Sequence, residues 1–234
     1  MASQFSKNNE RNNKMIKIVV FDCGYGGEFF ADRFEEEIPV VDLIRVIDWR
    51  HAEQHLNSIR ESRNLAEEAL RPYINKVDLI ILANHLLSIT SLKYFKRKYP
   101  KQKFIGFSLK MPDTFVQRDT LIITTKAVTK TMEYHGFLFR LKRKVKTITV
   151  DTWPSKIDDG ELTDEEISET ISTFTQKKHI HPEEIILGNA QLEDIIASIR
   201  KIFGHNLKIY SSFNDTIREA CKTLHIRGSV TKKN

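Results

Sequence analysis

The chain has 234 residues, of which 40% are hydrophobic and 29% are charged, and its formal net charge is +6. This composition is typical of a globular protein with enough apolar residues for a core. No stretch has the roughly 18 consecutive apolar residues of a membrane helix, which argues against a membrane protein. Residues 1–14 lack the apolar run of a secretory signal, and we expect them to be disordered. With only two cysteines, Cys23 and Cys221, the chain is expected in the reducing cytoplasm.

The excess of positive charge is concentrated in residues 93–103 and 140–146. Neither segment has the interleaved aromatic residues of an RNA-binding surface or the signature of a helix-turn-helix. The sequence therefore does not favour nucleic acid as a partner, and we interpret both segments as solvated surface with a mild electrostatic bias.

Short apolar runs alternate with longer amphipathic ones along the chain. The apolar runs, rich in β-branched residues, predict strands at 17–22, 40–48, 77–84, 103–109, 119–125, 144–151, 184–189 and 207–212. The amphipathic runs predict helices at 28–37, 53–71, 88–99, 126–138, 163–176, 191–203 and 214–224. This alternation predicts an α/β fold with mainly parallel sheets flanked by helices.

Three of the nine glycines fall within residues 22–27 (DCGYGG), at the carboxyl end of the first predicted strand. Open α/β sheets bind ligands at this end of their strands. The glycines can make a sharp turn that brings backbone N–H groups close to an anion, beside the N-terminus of the next helix. A tight turn without a ligand is the alternative. The spacing G-x-G-x-x-G is absent, so no dinucleotide is predicted, and we expect no cofactor.

Two further predicted strands end in an amide residue just before a helix. Asn84 lies in LIILANHLLS, and Asn189 lies in EEIILGNAQLEDI. Because the carboxyl ends of parallel strands lie at one edge of a sheet, we expect these two junctions and residues 22–27 to converge on one cleft.

These three segments together resemble the aspartate/glutamate racemase superfamily, and glutamate racemase most closely. The family's D-S-G-x-G-G motif is matched by residues 22–27, its A-C-N-T-A-S motif by residues 83–88 (ANHLLS), and its L-G-C-T-H-Y motif by residues 187–192 (LGNAQL). The segments FIGFSLKMP, LIITTKAVT and IDDGELTDEE are weaker similarities between them. The resemblance runs from about residue 17 to residue 224.

The resemblance implies two pseudo-symmetric lobes that face each other across a cleft. We expect residues 15–95 together with 207–234 to form lobe one, and residues 96–206 to form lobe two. The return of the chain to lobe one rests on one more strand and helix after the last motif.

The resemblance also implies two cysteines on opposite faces of the substrate, one removing and the other returning the α-proton. Asn84 and Asn189 occupy both cysteine positions here. A carboxamide does not titrate near neutral pH, so we expect no two-thiol racemisation. The neighbouring positions differ from the family as well, with His85 and Leu86 in one motif and Ala190 and Gln191 in the other.

Other chemistry at the cleft is an alternative. Cys23 and His85 could act together as a nucleophile or base if they are within hydrogen-bonding distance. Each is equally interpretable as a structural residue. Asp48, His51 and His55 are candidates for the rim of the cleft, although their spacing follows no known zinc pattern, and no metal ligand is assigned.

The predicted ligand is a small carboxylate or an amino acid, held by orientation and not by proton transfer. The candidate binding residues are Asp22, Cys23, Gly24, Asn84, His85, Thr125, Asn189, Ala190 and Gln191. Three classes of function stay open: a binding protein with a racemase fold, an enzyme that uses Cys23 and His85, and a structural or interaction protein that has only the fold. The oligomeric state is not fixed by the sequence, and a homodimer is one alternative.

Overall fold

The computed structural model describes residues 15–51, 58–108, 118–141 and 145–226. The N-terminal segment 1–14 and His55, which are named in the predictions above, lie outside these ranges. Within them, none of the helices is long and apolar enough to cross a lipid bilayer.

All eight predicted strands are present, and they form two four-stranded parallel sheets. The strands are β1 (Ile16–Asp22), β2 (Val41–Ile47), β3 (Leu79–Leu82), β4 (Phe104–Gly106), β5 (Thr120–Thr124), β6 (Val145–Thr149), β7 (Glu184–Leu187) and β8 (Lys208–Tyr210). The first sheet has the order β2-β1-β3-β4, and the second has the order β6-β5-β7-β8. The two orders are the same, so each strand of one sheet has an equivalent in the other. The predicted α/β class is confirmed.

The helices of the described residues lie on both faces of each sheet. They are α1 (Tyr25–Glu37), α2 (Ile59–Leu70), α3 (His85–Lys98), α4 (Lys126–Thr129), α5 (Met132–Leu141), α6 (Trp153–Asp158), α7 (Asp164–Lys178), α8 (Ile196–Phe203) and α9 (Phe213–Leu224). Helices α1 and α9 cover one face of the first sheet, and α2 and α3 cover the other. Helices α6, α7 and α8 cover one face of the second sheet, and α4 and α5 cover the other.

The central strands are buried on both faces, as their continuous apolar sequences predict. Within β1, Ile18 and Val20 pack towards α1 and α9, whereas Val19 and Phe21 pack towards α2 and α3. Each sheet therefore has two apolar layers. This arrangement fixes the strand ends rigidly, and the polar residues that follow them are held at one edge.

The sheet membership of two strands differs from the predicted division into lobes. Strand β4 pairs with β3 in the first sheet, and β8 pairs with β7 in the second. The chain therefore passes to the second sheet only after β4, and it returns to the first with α9, whose Phe213 and Ile217 pack against the first sheet. A strand of three residues carries too little sequence to show which sheet it joins. Below, lobe one is the first sheet with α1, α2, α3 and α9, and lobe two is the second sheet with α4–α8.

Three helical segments differ from the prediction. The segment 126–138 is two helices, because the Thr131 hydroxyl donates to the Val128 carbonyl and accepts from the Tyr134 N–H, which caps α5. The segment 191–203 begins as a short 3-10 turn before α8. Helix α6 was not predicted; it is only six residues long, and a proline lies in its first turn.

Candidate functional site

The carboxyl ends of the strands from both sheets surround one cavity of about 420 Å³ between the lobes. Its described lining residues are Asp22, Cys23, Gly24, Ser62, Asn84, His85, Leu86, Thr125, Ala127, Val128, Asp151, Pro154, Ser155, Asp158, Asn189, Ala190 and Gln191. All nine residues predicted from the sequence as ligand-binding are among them. The expected convergence of the three junctions is therefore present in the structure, whereas a binding role for these residues stays a prediction.

Gly24 and Gly26 serve close packing between the lobes, and Gly27 serves close packing against Asp22 and Ile47 within lobe one. None of the three has the positive φ of a turn that requires glycine. Gly24 is extended, with φ −163°, a conformation that any residue adopts. A Cβ on Gly24 would lie 2.9 Å from Nε2 of Gln191, and a Cβ on Gly26 would overlap the Cβ of Ala190. The N-terminus of α1 in lobe one thus lies directly against residues 190–191 of lobe two, and a side chain there would separate the lobes.

The backbone donors of this loop are largely engaged inside the protein. The Cys23 N–H donates to Oδ1 of Asp22 over 2.7 Å, and the Gly27 N–H also donates to Asp22. The Tyr25 N–H donates to Asp158, which belongs to lobe two. The loop therefore offers fewer N–H groups to an anion than the sequence suggested.

Asp22 is the most enclosed acid of the site, with only 2% of its surface exposed. Burial raises the pKa of Asp22 from 3.8 to about 7. Hydrogen bonds from Asn84, Cys23 and Gly27 oppose this rise, and the negative charge of Asp158 adds to it. Asp22 therefore changes its charge near neutral pH, and it is the centre of the hydrogen bonds at the lobe-one junction.

Cys23 and His85 interact with different partners. No hydrogen bond joins their side chains; instead, Nε2 of His85 lies 2.8 Å from the Ser212 hydroxyl, which itself donates to the Ser108 carbonyl. Because the serine hydrogen is used there, His85 donates from Nε2. Its Nδ1 is buried without a hydrogen-bond partner, which favours the neutral ring. Burial lowers the pKa of His85 to about 3.

The Cys23 thiol is held in its protonated form. Burial and the charges of Asp22 and Asp48 raise the pKa of Cys23 well above its ordinary value, and the thiol donates to Asp22. A reactive cysteine needs the opposite environment, in which a positive neighbour stabilises the thiolate. The alternative that Cys23 and His85 act as nucleophile and base is therefore not supported by the geometry.

Asn84 is committed at both ends of its side chain. Its Oδ1 accepts the Leu87 N–H over 2.9 Å, which caps α3, and its Nδ2 donates to Oδ1 of Asp22 over 2.9 Å. The same Nδ2 lies 3.4 Å from the Cys23 sulfur. Asn84 thus joins the start of α3 to the end of β1.

Asn189 is committed at one end only. Its Oδ1 accepts the Gln191 N–H over 2.9 Å. Among the residues that the structure describes, none accepts from its Nδ2. The amide N–H₂ group of Asn189 is therefore an unused donor beside the cavity.

Lobe two contributes an acid that the sequence did not single out. Asp158 ends the short helix α6 and accepts from the Gln191 side chain and from the Tyr25 N–H of lobe one. Burial raises the pKa of Asp158 to about 6. Its second oxygen, Oδ1, is buried and has no hydrogen-bond partner. Its sequence context, IDDGELTDEE, has the composition of an exposed loop. Asp158 can be identified as a residue of the site only from its contact with α1.

Two of the rim candidates, Asp48 and His51, are not among the described lining residues of the cavity, although Asp48 lies close enough to Cys23 to act on its pKa. Nδ1 of His51 pairs with Oδ1 of Asp48 at 2.8 Å, beside Trp49 and a separate surface depression of about 330 Å³. In the described ranges, no group of three side chains from His, Cys, Asp or Glu could hold a metal ion.

No protein-family model and no curated protein matches the sequence. Solved structures do match it. Glutamate racemase from Escherichia coli, in a complex with L-glutamate and the activator UDP-MurNAc-Ala, has a TM-score of 0.77 at 13% identity, over 92% of this chain and 84% of that one. Glutamate racemase from Campylobacter jejuni has a TM-score of 0.75 at 21% identity, over 94% and 89% of the two chains.

Aspartate racemase from Picrophilus torridus has a TM-score of 0.62 at 14% identity, over 92% of this chain and 96% of that one. This chain therefore has the two-lobed α/β fold of the glutamate and aspartate racemases. The resemblance stated from the motifs is confirmed at the level of the fold. That Asn84 and Asn189 stand at the cysteine positions of those enzymes remains a prediction from the motifs.

Proposed function

We propose that this protein binds a small amino acid in the cleft between its lobes and does not racemise it by the two-thiol route. The observation that carries the proposal is the concentration of polar side chains from both lobes around one cavity. Asp22 and Asn84 come from lobe one, and Thr125, Asp158 and Asn189 come from lobe two. Polar groups buried without partners cost about 1–3 kcal/mol each, so this cavity favours a polar occupant.

The fold supports an amino acid as that occupant. The similar glutamate racemase from Escherichia coli binds L-glutamate. In this chain, buried Asp22 and half-buried Asp158 are suited to an ammonium group, and the amide of Asn189 is suited to a carboxylate. An amino acid combines both groups.

The absence of racemisation follows from the chemistry of the groups near the ligand. The carboxamides of Asn84 and Asn189 cannot exchange a proton with a carbon atom near neutral pH. Cys23 keeps its proton, and His85 is neutral, buried and bonded to Ser212. Ligand orientation without thiol chemistry is the function that these side chains support.

A thermal-shift screen of amino acids in both enantiomers, together with small carboxylates, tests the proposal. We expect at least one amino acid to raise the melting temperature of the wild-type protein. Asn189→Leu should abolish the shift, whereas the exposed Asn206→Leu, outside the cavity, should retain it. If no compound shifts the wild-type protein, or if Asn189→Leu responds like the wild type, the binding proposal is wrong and only the fold remains.

A further inference from the structure

The side-chain donors that line the cavity are mostly used by the protein itself. Asn84 and Cys23 donate to Asp22, and Gln191 donates to Asp158. His85 donates to Ser212, and the Ser155 hydroxyl donates to the Thr152 carbonyl. Ser62 also has a partner.

Two lining side chains form no described hydrogen bond through any of their donor groups: Asn189 through its amide N–H₂ and Thr125 through its hydroxyl. Both follow strands of lobe two: Thr125 follows β5, and Asn189 follows β7. Because β5 and β7 are hydrogen-bonded neighbours in the second sheet, these two donors belong to one side of the cavity. A pair of neutral donors on one side can bind the two oxygens of a single carboxylate.

The ionisable side chains of the described lining are mostly acidic. Three acids line it, namely Asp22, Asp151 and Asp158, and the described lining residues include no lysine or arginine. Asp151 accepts the Lys126 N–H at the start of α4. A second carboxylate on the ligand would find no cation among these residues and would be repelled by the acids.

We propose that the ligand of this cleft is an amino acid with a single carboxylate, so that its side chain is neutral or basic and not acidic. The carboxylate lies at Thr125 and Asn189, and the ammonium group lies on the side of Asp22 and Asp158. This inference rests on the proposed binding function and adds its selectivity. Asp158 is the residue that determines the discrimination against acidic side chains, because it is the less enclosed of the two facing acids.

Isothermal titration with matched pairs tests the selectivity. Glutamine and glutamate are nearly equal in size and differ by one charge, as do asparagine and aspartate; both enantiomers are titrated, together with the remaining standard amino acids. We expect the tightest ligand to have one carboxylate and to bind at least about tenfold more tightly than glutamate or aspartate, since uncompensated like charges at close range are costly.

Two variants separate the role of Asp158 from a general effect of charge. Asp158→Asn should reduce the factor by which the tightest ligand binds more strongly than the acidic amino acids. Asp159→Asn changes the exposed neighbouring acid, which does not line the cavity, and should leave the ratio unchanged.

The outcomes distinguish the two proposals. If no amino acid binds, the binding function fails, and the selectivity fails with it. If glutamate or aspartate binds within about threefold of the tightest ligand, the selectivity alone is overturned. An equal ratio in the wild type and in Asp158→Asn also overturns it.

Discussion

Asn84 and Asn189 occupy equivalent positions in the two sheets. Asn84 lies two residues after Leu82, and Leu82 pairs with Phe21 of the central strand β1. In the same way, Asn189 lies two residues after Leu187, and Leu187 pairs with Ile123 of the central strand β5. The hydrogen bonds at the two junctions are equivalent as well: the Ala83 N–H donates to the Phe21 carbonyl and the Gly188 N–H to the Ile123 carbonyl, each over 2.8 Å.

The chemistry of the two junctions is not equivalent. By the same pairing, Asp22 corresponds to Thr124, and Cys23 corresponds to Thr125. The Thr124 hydroxyl donates to the Gly188 carbonyl, so the lobe-two counterpart of the buried acid is neutral and committed. Asn84 therefore donates to the buried acid, Asp22, whereas the amide N–H₂ group of Asn189 has no described acceptor. A pseudo-symmetric fold thus forms a polar cavity with two chemically distinct ends.

Gly26→Ala should destabilise the protein by about 1–3 kcal/mol, because the new methyl group overlaps Cβ of Ala190 and forces the lobes apart. Chemical denaturation measures the loss. Gly136→Ala is the matched control, since the nearest atom to a Cβ there is 4.0 Å away and an alanine in an exposed helix stabilises by about 0.5–1 kcal/mol.

The same contact predicts a rescue. Ala190→Gly should restore much of the stability that Gly26→Ala removes, because it deletes the other half of the overlap. If the double variant is as unstable as the sum of the two single variants, the contact between the lobes is not the cause.

Asn84→Ala should be more destabilising than Asn189→Ala. The first change removes the cap of α3, worth about 1–2 kcal/mol, and also a hydrogen bond to buried Asp22. The second removes one local hydrogen bond to the Gln191 N–H, worth about 1 kcal/mol. Denaturation of both variants under one condition checks the order, and a larger loss for Asn189→Ala would contradict the two assignments.

His85 should make the protein sensitive to acid. Burial lowers the pKa of His85 from 6.5 to about 3, so the unfolded chain gains a proton below pH 6.5 that the folded protein does not. The stability associated with neutral His85 is present above pH 6.5 and is lost as the pH falls towards 3. Relative to His85→Gln, the wild type should lose about 1.4 kcal/mol per pH unit between pH 6 and 4. A constant difference between the two proteins over this range would show that His85 titrates normally.

The fold could be predicted from the sequence because its main signals are local. Apolar β-branched runs identify all eight strands, and Thr163, whose hydroxyl accepts from the Glu166 N–H, marks the start of α7. The membership of β4 and β8 could not be predicted, because strand pairing depends on contacts distant in sequence. Helix α6 is too short to show a periodic pattern.

The candidate site was predicted only in part, for a related reason. The polar residues at the strand ends are visible in the sequence, since each follows an apolar run. Asp158 is not, because its role depends on the Tyr25 N–H and the Gln191 side chain, which come from distant parts of the chain. The committed state of Asn84 and the unused donor of Asn189 likewise become apparent only when the hydrogen bonds are known.

Saturation-transfer NMR of the tightest amino acid in D₂O tests the central claim most directly, because one sample reports both binding and proton exchange. We predict saturation transfer from the wild-type protein to the ligand, and an α-proton signal that stays as intense as in a sample without protein. Loss of the α-proton signal with the wild-type protein would show that the cleft transfers this proton, and an absence of saturation transfer would show that it does not bind the amino acid.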